Sequence, residues 1–252
     1  MSDPAPVPRR IERLGRGFTV DAAREGAFWE RFASGAWEPE TLALLAERTG
    51  PGVQFIDIGA WIGPTSLFAA ACGVEVVAVE ADPVALVWLR RNLALNPALA
   101  ARVRVFDRVL TAEGGAARFG TNRGRGGNSM SSTLHAEMAT EWTLPAATPA
   151  ELAAFAGPAA RRFVKLDIEG GEYAVAPALG PVLAGAEAVL VSWHPKVARA
   201  AGRSEARIAA DSAACLGALG AFRALVPQGE GWAPAPPDPV PTGDWLFLRE
   251  GP

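Results

Sequence analysis

The stretch QFIDIGAWIG, residues Gln54–Gly63, decides the fold. Its FIDI segment is an apolar run interrupted only by Asp57, which is typical of a strand buried on both faces of a sheet. Gly59 and Gly63 bracket a turn, and Pro64 follows at the first helical position, where proline is tolerated. A strand, a glycine turn and a helix start direct backbone N–H groups at one point. This stretch therefore predicts a binding site for a nucleotide-like ligand.

Composition places the chain among folded proteins. Half of its 252 residues are hydrophobic and a fifth are charged, which is enough for one sizeable core. The net charge of −3 and the isoelectric point near 5.6 argue against a nucleic-acid partner. The two cysteines, Cys72 and Cys215, lie in alanine-rich helical contexts and are expected to be free thiols in a reducing compartment. Without a signal peptide at Met1–Arg10 or a membrane-length apolar run, we expect a cytoplasmic protein with no membrane partner.

From residue 53 onward, predicted strands alternate with predicted helices, which indicates an α/β fold with a doubly wound, mostly parallel sheet. The predicted strands are Val53–Ile58, Val74–Val79, Val103–Phe106, Arg162–Ile168 and Ala188–Trp193. The predicted helices are Pro64–Cys72, Pro83–Leu95, Pro149–Phe155 and Ser204–Leu219. Two further apolar runs, Phe222–Val226 and Trp245–Arg249, are separated by a proline-rich loop and predict a C-terminal antiparallel hairpin.

The remaining segments are predicted as an N-terminal extension and one long loop. Residues 1–50 form an arm and a helical cap, and residues 51–252 form the α/β domain. Within the extension we expect a loose arm over residues 1–17, a helix over Asp21–Ser34 capped by Asp21, and a helix over Pro39–Thr49. The aromatic stripe of the first helix favours core packing, although covering a substrate mouth is the alternative; it consists of Phe28, Trp29 and Phe32. The polar, glycine-rich stretch Gly114–Thr133 predicts a mobile or extended loop.

Acidic residues mark four of the five predicted strand ends. Ligands of doubly wound sheets bind beyond the carboxyl ends of the strands, so these positions are candidate site residues. They are Asp57, Glu80, Asp107 and Asp167, and the fifth strand ends at His194. Glu80, after the second strand, stands where an acid accepts hydrogen bonds from ribose hydroxyls in dinucleotide-binding folds.

The glycine spacing separates two kinds of cofactor. The turn reads G-x-x-x-G and not the G-x-G-x-x-G of dinucleotide sites, and a carboxylate at Asp57 is unfavourable beside a pyrophosphate. An acid there suits a cofactor with a cationic head. The structural alternative for Asp57 is a turn or capping role. Because Glu80 follows at the spacing expected of a ribose-binding acid, the cofactor role of Asp57 is favoured.

The stretch FVKLDIEGGEY, residues Phe163–Tyr173, concentrates charge near the centre of the sheet. If the strand continues that far, period-two alternation places Lys165, Asp167 and Glu169 on one side. Buried charges require partners, a ligand or an ion, so these three are site candidates, although Lys165 could simply neutralise an acid. For Glu172, in the first turn of the next helix, a capping role and a functional role are equally open.

His194 ends the fifth predicted strand in VLVSWHP. A histidine there, beside a strand-four acid, is well placed to act as a base or a metal ligand, and a satisfied core histidine is the alternative. His135 lies in an irregular region, and we predict it to be a surface residue.

Several of these motifs together carry a family resemblance. DIGAWIG, the acid of VVAVEADP, LRRNLALN, the NSMSS segment, KLDIEGGE and WHP resemble the FkbM-type methyltransferases, over roughly Val53–Pro195. The resemblance implies a Rossmann-like class I methyltransferase fold and S-adenosylmethionine as donor. It also implies, in most cases, O-methylation of a hydroxyl on a small molecule, a sugar or a carrier-bound intermediate; some similar proteins methylate nitrogen.

The resemblance also assigns expected roles to residues. The expected cofactor-binding residues are Asp57, Gly59, Trp61, Gly63, Glu80 and Asp107. Trp61 is a departure, because the family commonly has asparagine there. Catalysis is expected from His194 or Asp167 as base, with Lys165 orienting the substrate or stabilising an oxyanion. Alternatively, Asp167, Glu169 and His194 bind Mg²⁺, Mn²⁺ or Fe²⁺, which would lower the pKa of the hydroxyl.

Two other classes of function remain open from the sequence. A nicotinamide oxidoreductase would share the fold, but this chain lacks the G-x-G-x-x-G motif that such enzymes use. A non-catalytic binding module on a methyltransferase fold is the second possibility, motivated by Trp61. Nucleic-acid methylation is weaker, because Arg123 and Arg125 are the only basic pair in the glycine-rich loop. No pattern predicts the oligomeric state.

Overall fold

A computed structural model of the protein describes residues 5–124, 126–229, 231–237 and 240–249. The strands are β1 (Pro8–Arg13), β2 (Arg16–Asp21), β3 (Val53–Ile58), β4 (Glu75–Val79), β5 (Val103–Phe106), β6 (Val109–Leu110), β7 (Gly115–Thr121), β8 (Thr140–Ala147), β9 (Arg161–Leu166), β10 (Ala186–Trp193), β11 (Phe222–Gln228), β12 (Gly231–Pro234) and β13 (Gly243–Arg249). The helices are α1 (Gly26–Ser34), α2 (Pro39–Arg48), α3 (Pro64–Ala71), α4 (Pro83–Ala94), α5 (Pro97–Ala100), α6 (Pro149–Ala156), α7 (Glu172–Val175), α8 (Gly180–Leu183), α9 (Pro195–Ala200) and α10 (Glu205–Ala218), with a 3₁₀ turn at Ala176–Ala178.

The central sheet has eight strands in the order β12-β11-β13-β10-β9-β3-β4-β5. Its five strands from β10 to β5 are parallel, and the three C-terminal strands are antiparallel. The chain adds β4 and β5 on one side of β3 and then continues with β9 and β10 on its other side. Ligands of open α/β sheets bind where the strand order changes side in this way, which here is between β3 and β9. The predicted α/β fold and its C-terminal antiparallel hairpin are confirmed. The structure adds β12, and residues 238–239 of the proline-rich loop lie outside the described ranges.

Two apolar layers cover the sheet. One face packs against α3, α4 and the N-terminal elements, and the other packs against α6, α7 and α10. Every residue of β3 is buried, as expected for a central parallel strand. In the described ranges, no helix combines the length and the apolar character that a membrane span requires.

The N-terminal residues are more ordered than the sequence indicated. Residues 8–21 form an antiparallel hairpin, so the predicted loose arm is wrong from residue 8 onward. The hairpin forms because Ile11, Phe18 and Val20 are buried against the sheet layer. The following helix begins at Gly26, and Asp21 is the last residue of β2 and not a helix cap.

Two asparagines attach the hairpin to the domain, Asn92 in α4 and Asn96 at the start of α5. Asn92 accepts a hydrogen bond from the backbone N–H of Asp21 at 2.8 Å and donates one to the carbonyl of Ile62 at 2.9 Å. Asn96 both accepts from and donates to the backbone of Thr19. These side-chain amides take the place of a neighbouring strand, so backbone groups of Thr19 and Asp21 in β2 find hydrogen-bond partners at the end of α4 and the start of α5.

The glycine-rich region also contains a strand that the sequence did not predict. Gly115–Thr121 is β7, which pairs with β8, and together with β6 they form a separate three-stranded sheet. Of the two predicted alternatives, a mobile loop is therefore wrong for residues 115–121, which form an extended segment outside the central sheet. Residues 122–124 and 126–131 are irregular, and Ser132 makes an isolated bridge with Gly120.

We predict that Asn92→Ala lowers the free energy of unfolding by about 2 kcal/mol, because it leaves buried backbone groups of Asp21 and Ile62 without partners. Urea denaturation measures this change. Val87→Ala, at an exposed position on the same helix, is the control and should change stability by less than about 0.5 kcal/mol. Equal effects of the two substitutions would contradict the attachment role of Asn92.

Candidate active site

Glu80, directly after β4, fixes the backbone of the turn after β3. One of its oxygens accepts a hydrogen bond from the Trp61 N–H at 2.7 Å. The other accepts from the N–H groups of Ala81 and Asp82 at 2.8 and 2.7 Å. Trp61 has a φ of 49°, in the left-handed region that residues other than glycine rarely adopt. The carboxylate therefore stabilises an unfavourable backbone conformation at the site.

The glycines of this turn are required by close contacts. Gly59 has a φ of 94°, and a Cβ there would collide with the backbone carbonyl of Asp167. Gly63 has a φ of 92°, and a Cβ there would lie 2.6 Å from a methyl carbon of Leu89. The turn can thus approach β9 and α4 only because both positions lack a side chain.

Asp57 organises the start of α3. Its carboxylate is fully buried, and one oxygen accepts hydrogen bonds from the hydroxyls of Thr65 and Ser66, both at 2.6 Å. Burial raises the pKa of Asp57 above its ordinary value, which Lys165 and the two hydroxyls partly oppose. Asp57 lines neither of the two cavities described below.

A first cavity lies at the carboxyl ends of β3, β4 and β9. Its volume is about 720 Å³, including its open mouth. Glu80 lies on one wall, and burial raises the pKa of this carboxyl to about 7 even though backbone N–H donors lower it. Apolar side chains form much of the remaining lining, among them Val79, Val109, Leu110, Phe119 and Val175. The combination of an acid and an apolar surface suits a ribose joined to a flat base.

The structure does not bring Asp107 into this cavity. Its carboxylate pairs with Arg90 at 3.0 Å and with Arg108 at 2.7 Å, and its side chain is 44% exposed. Of this group, only Arg108 lines the cavity.

A second cavity of about 1240 Å³ adjoins the first. The two cavities share Gly59, Trp61, Asn128, Ser129, Asp167 and Glu169. Four of the five described non-glycine residues with positive φ line the second cavity; these are Glu25, Glu38, Trp61 and Glu169. Strained backbone of this kind clusters at functional sites, because the surrounding structure must hold it in place.

Lys165 and Asp167 form an ion pair in the wall of the second cavity, with 2.7 Å between Nζ and Oδ2. Lys165 is buried, and Asp167, which is partly buried, also lines the first cavity. Burial opposes both charges. Nevertheless, the carboxylates of Asp167, Glu38 and Asp57 raise the pKa of Lys165 above its ordinary value. In turn, Lys165 lowers the pKa of Asp167. Both residues are therefore charged at neutral pH.

His194 follows β10 and is surrounded by carboxylates. Its Nδ1 lies 3.0 Å from Oε1 of Glu172, and its Nε2 lies 3.7 Å from Asp167 and 3.6 Å from Glu169. Burial lowers the pKa of His194, but the Glu172 hydrogen bond and the neighbouring carboxylates raise it to about 10. With these neighbours alone, the ring holds its proton at neutral pH.

Glu172 is a site residue whose role the sequence left open. It is fully buried at the start of α7, where it accepts the Ile168 N–H at 2.9 Å and contacts His194. Glu172 therefore both stabilises the turn after β9 and orients the imidazole of His194. The strand β9 ends at Leu166, so Glu169 lies in this turn with a φ of 52° and not on the strand.

The residues around His194 offer a possible metal-ligand set. Ligand atoms of Asp167, Glu172 and His194 lie within 4.8 Å of one another. The predicted set has Glu169 in place of Glu172, and one oxygen of Glu169 is buried without a hydrogen-bond partner in the described part of the chain. Histidines that bind a metal through Nε2 usually donate their Nδ1–H to a carboxylate, which fixes the orientation of the ring, and Glu172 lies at this position.

A family model for the methyltransferase FkbM domain matches residues 57–208. The chain belongs to the FkbM methyltransferase family. Its sheet has the class I methyltransferase fold. Similar solved structures include an S-adenosylmethionine-dependent methyltransferase from Agrobacterium tumefaciens, with 12% identity, 99% of this chain and 71% of that chain covered, and a TM-score of 0.45. Another is precorrin-6y C5,15-methyltransferase from Geobacter metallireducens GS-15, with 12% identity, 85% and 90% covered, and a TM-score of 0.42. A search of curated protein sequences finds no match.

In this FkbM-family protein, the glycine-rich segment covers the junction of the two cavities through Asn128 and Ser129, which line both. Asp82 holds the segment, because one carboxylate oxygen accepts from the Gly127 N–H and the Ser131 hydroxyl, both at 2.6 Å. The sequence did not identify Asp82 as a site residue. The one signal that could have indicated this role is its position two residues after Glu80.

Trp61 provides a second attachment for the same segment. Its indole N–H donates to the Gly127 carbonyl at 2.9 Å, and its ring packs edge-on against Phe28 with 4.6 Å between centroids. The side chain that departs from the family pattern therefore joins the glycine-rich segment to α1.

His135 lies near this segment but lines neither cavity. It is 7% exposed, and its Nε2 lies 2.7 Å from the carbonyl of Met130. The prediction of a surface residue is wrong, because the ring satisfies the backbone of the irregular segment.

We predict that Trp61→Phe increases the rate of trypsin cleavage after Arg123 roughly fivefold, because one hydrogen bond worth about 1 kcal/mol is lost from the segment. Limited proteolysis followed by mass spectrometry measures the rate. Trp232→Phe, far along the chain in β12, is the control and should leave this cleavage unchanged. Identical rates in the two variants would contradict the attachment.

Proposed function

We propose that the protein transfers a methyl group from S-adenosylmethionine, bound in the first cavity, to an acceptor bound in the second. The observation that carries this proposal is the shared wall of the two cavities, where Asp167 and Glu169 face both. Methyl transfer needs donor and acceptor in line at one point, and the junction of two adjoining cavities offers that arrangement.

The first cavity fits the cofactor on the chemistry of its walls. Glu80 uses three hydrogen bonds on the backbone, and a carboxylate can accept about four, so an acceptor position is left for a ribose hydroxyl. The apolar surface that includes Leu110 and Phe119 suits the purine. Asp57 supports this site through α3 and not by direct contact.

We propose a hydroxyl of a small molecule, a sugar or a carrier-bound intermediate as the acceptor group, on the strength of the family pattern; a nitrogen acceptor is the alternative. S-adenosylmethionine would supply a sulfonium methyl: the bond from this carbon to the acceptor oxygen would form as its bond to sulfur breaks, with S-adenosylhomocysteine as the leaving group. The hydroxyl proton must then pass to a base.

Asp167 is the better resting base of the two sequence candidates. It is ionised, it lies on the shared wall, and Lys165 fixes its orientation. His194 carries a proton in this environment and cannot accept another. In the metal version of the mechanism, Asp167, His194 and an adjacent glutamate would instead bind a divalent ion that lowers the pKa of the acceptor hydroxyl.

We predict that isothermal titration calorimetry detects binding of S-adenosylhomocysteine and not of NAD. Glu80→Ala should weaken this binding at least about tenfold, since a charged hydrogen-bond acceptor and the support of Trp61 are both lost. Glu75→Ala, on the exposed start of β4, is the matched control. If neither S-adenosylhomocysteine nor S-adenosylmethionine binds, the proposed methyltransferase function fails and the non-catalytic binding module gains support.

We predict that Asp167→Asn reduces the rate of methyl transfer at least about a hundredfold, because the mutant amide cannot accept the proton. The rate is measured as release of S-adenosylhomocysteine with an accepted substrate. The same assay in chelator tests the metal version, which full activity would exclude. An unimpaired His194→Ala variant would exclude any role of this side chain as base or ligand.

A further inference from the structure

The second cavity has an excess of acidic side chains. Those lining it are Glu25, Glu38, Asp167, Glu169 and Asp244, against the cations Arg31, Lys165 and His194. The cations are already engaged or lie in solvent. Lys165 pairs with Asp167, His194 contacts Glu172, and Arg31 is exposed.

Two of these acids have no cationic partner. Among the described residues, no side-chain nitrogen of lysine, arginine or histidine lies within 4.0 Å of Glu38 or Asp244, whereas Ser192 donates a hydrogen bond to Asp244 at 2.6 Å. One carboxylate oxygen of Glu38 is buried without a hydrogen-bond partner in the described part of the chain. A buried acceptor left in this state is unfavourable, so a ligand that donates to it gains affinity.

The electrostatic surroundings of Glu38 favour the same kind of ligand. Burial raises the pKa of Glu38, Lys165 lowers it, and the carboxylates of Asp167 and Asp244 raise it again, so that together these effects bring it to about 7. Asp244 likewise has a pKa raised by burial and by Asp167. A positive charge placed between Glu38 and Asp244 would relieve this repulsion.

Aromatic rings lie on the same cavity wall. Phe28 contacts Trp37 and Trp61 edge-on, with centroid distances of 5.2 and 4.6 Å, and all three line the cavity. Aromatic faces beside carboxylates form a favourable environment for an organic cation.

We propose that the methyl acceptor carries a positively charged nitrogen group, an ammonium or a guanidinium, and that Glu38 and Asp244 bind this group in the second cavity. The inference rests on the proposed function, because it treats the second cavity as the acceptor site. It defines the substrate class as a cationic nitrogen compound. Asp167, on the wall shared with the first cavity, is left to face the atom that receives the methyl group.

The test compares matched probes by isothermal titration calorimetry at neutral pH, on protein saturated with S-adenosylhomocysteine. The probes are benzylammonium, benzylguanidinium and the neutral benzyl alcohol. At least one of the two cations should bind about tenfold or more tightly than benzyl alcohol, because it forms charge-assisted hydrogen bonds. Glu38→Gln and Asp244→Asn should each reduce this preference at least about threefold.

Glu47→Gln, at an exposed position in α2, the helix that begins directly after Glu38, is the control and should retain the preference. Thermal unfolding and S-adenosylhomocysteine affinity establish that each variant is folded. If neither cation binds more tightly than benzyl alcohol, or if the preference survives both substitutions, the inference is overturned. Failure of S-adenosylhomocysteine to bind the unmodified protein would instead overturn the proposed function, and the two failures are thus separate.

Discussion

The rest of the site depends on the hydrogen bonds that the carboxylate of Glu80 accepts from the backbone. This carboxylate joins the end of β4 to the turn after β3 by accepting the N–H of Trp61, and it holds the start of the next loop through Ala81 and Asp82. Because Trp61 is in the left-handed region, this turn would relax without the acceptor. The Glu80 carboxylate thereby supports the position of the Trp61 indole, which is one attachment of the glycine-rich segment, as Asp82 is another.

The charged residues between the two cavities form a connected arrangement. Asp167 pairs with Lys165 and faces His194, whose other nitrogen contacts Glu172. Lys165 and Glu172 are buried and Asp167 and His194 are partly buried, and each charge is tolerated because an opposite charge lies beside it. This arrangement keeps an ionised carboxylate, Asp167, where the cavities meet, and the proposed role of Asp167 as a base depends on it.

The central sheet could be predicted from the sequence because its strands are apolar runs bounded by glycine, proline or acids. The hairpin β1–β2 could not, because arginines dominate its exposed face and its three buried apolar residues depend on a distant sheet layer. β7 was hidden by its glycines and by a partner strand, β8, that begins nearly 20 residues later.

The candidate site was predicted in part, for reasons that differ between residues. Their positions at predicted strand ends identified Glu80, Asp167 and His194 as candidates, and the structure places them on cavity walls. Such a position could not separate Asp57, which turns towards two hydroxyls of α3, from a residue that contacts the cofactor. Nor could spacing show that Asp107 pairs with two arginines at the surface. Such outcomes depend on side-chain partners far apart in the chain.

A crystal structure with bound S-adenosylhomocysteine tests the central claim most directly. The account predicts that Glu80 contacts the ribose hydroxyls, that the purine lies against Leu110 and Phe119, and that the sulfur faces the second cavity beside Asp167. A ligand whose ribose lies away from Glu80, or whose sulfur is closed off from the second cavity, would contradict it.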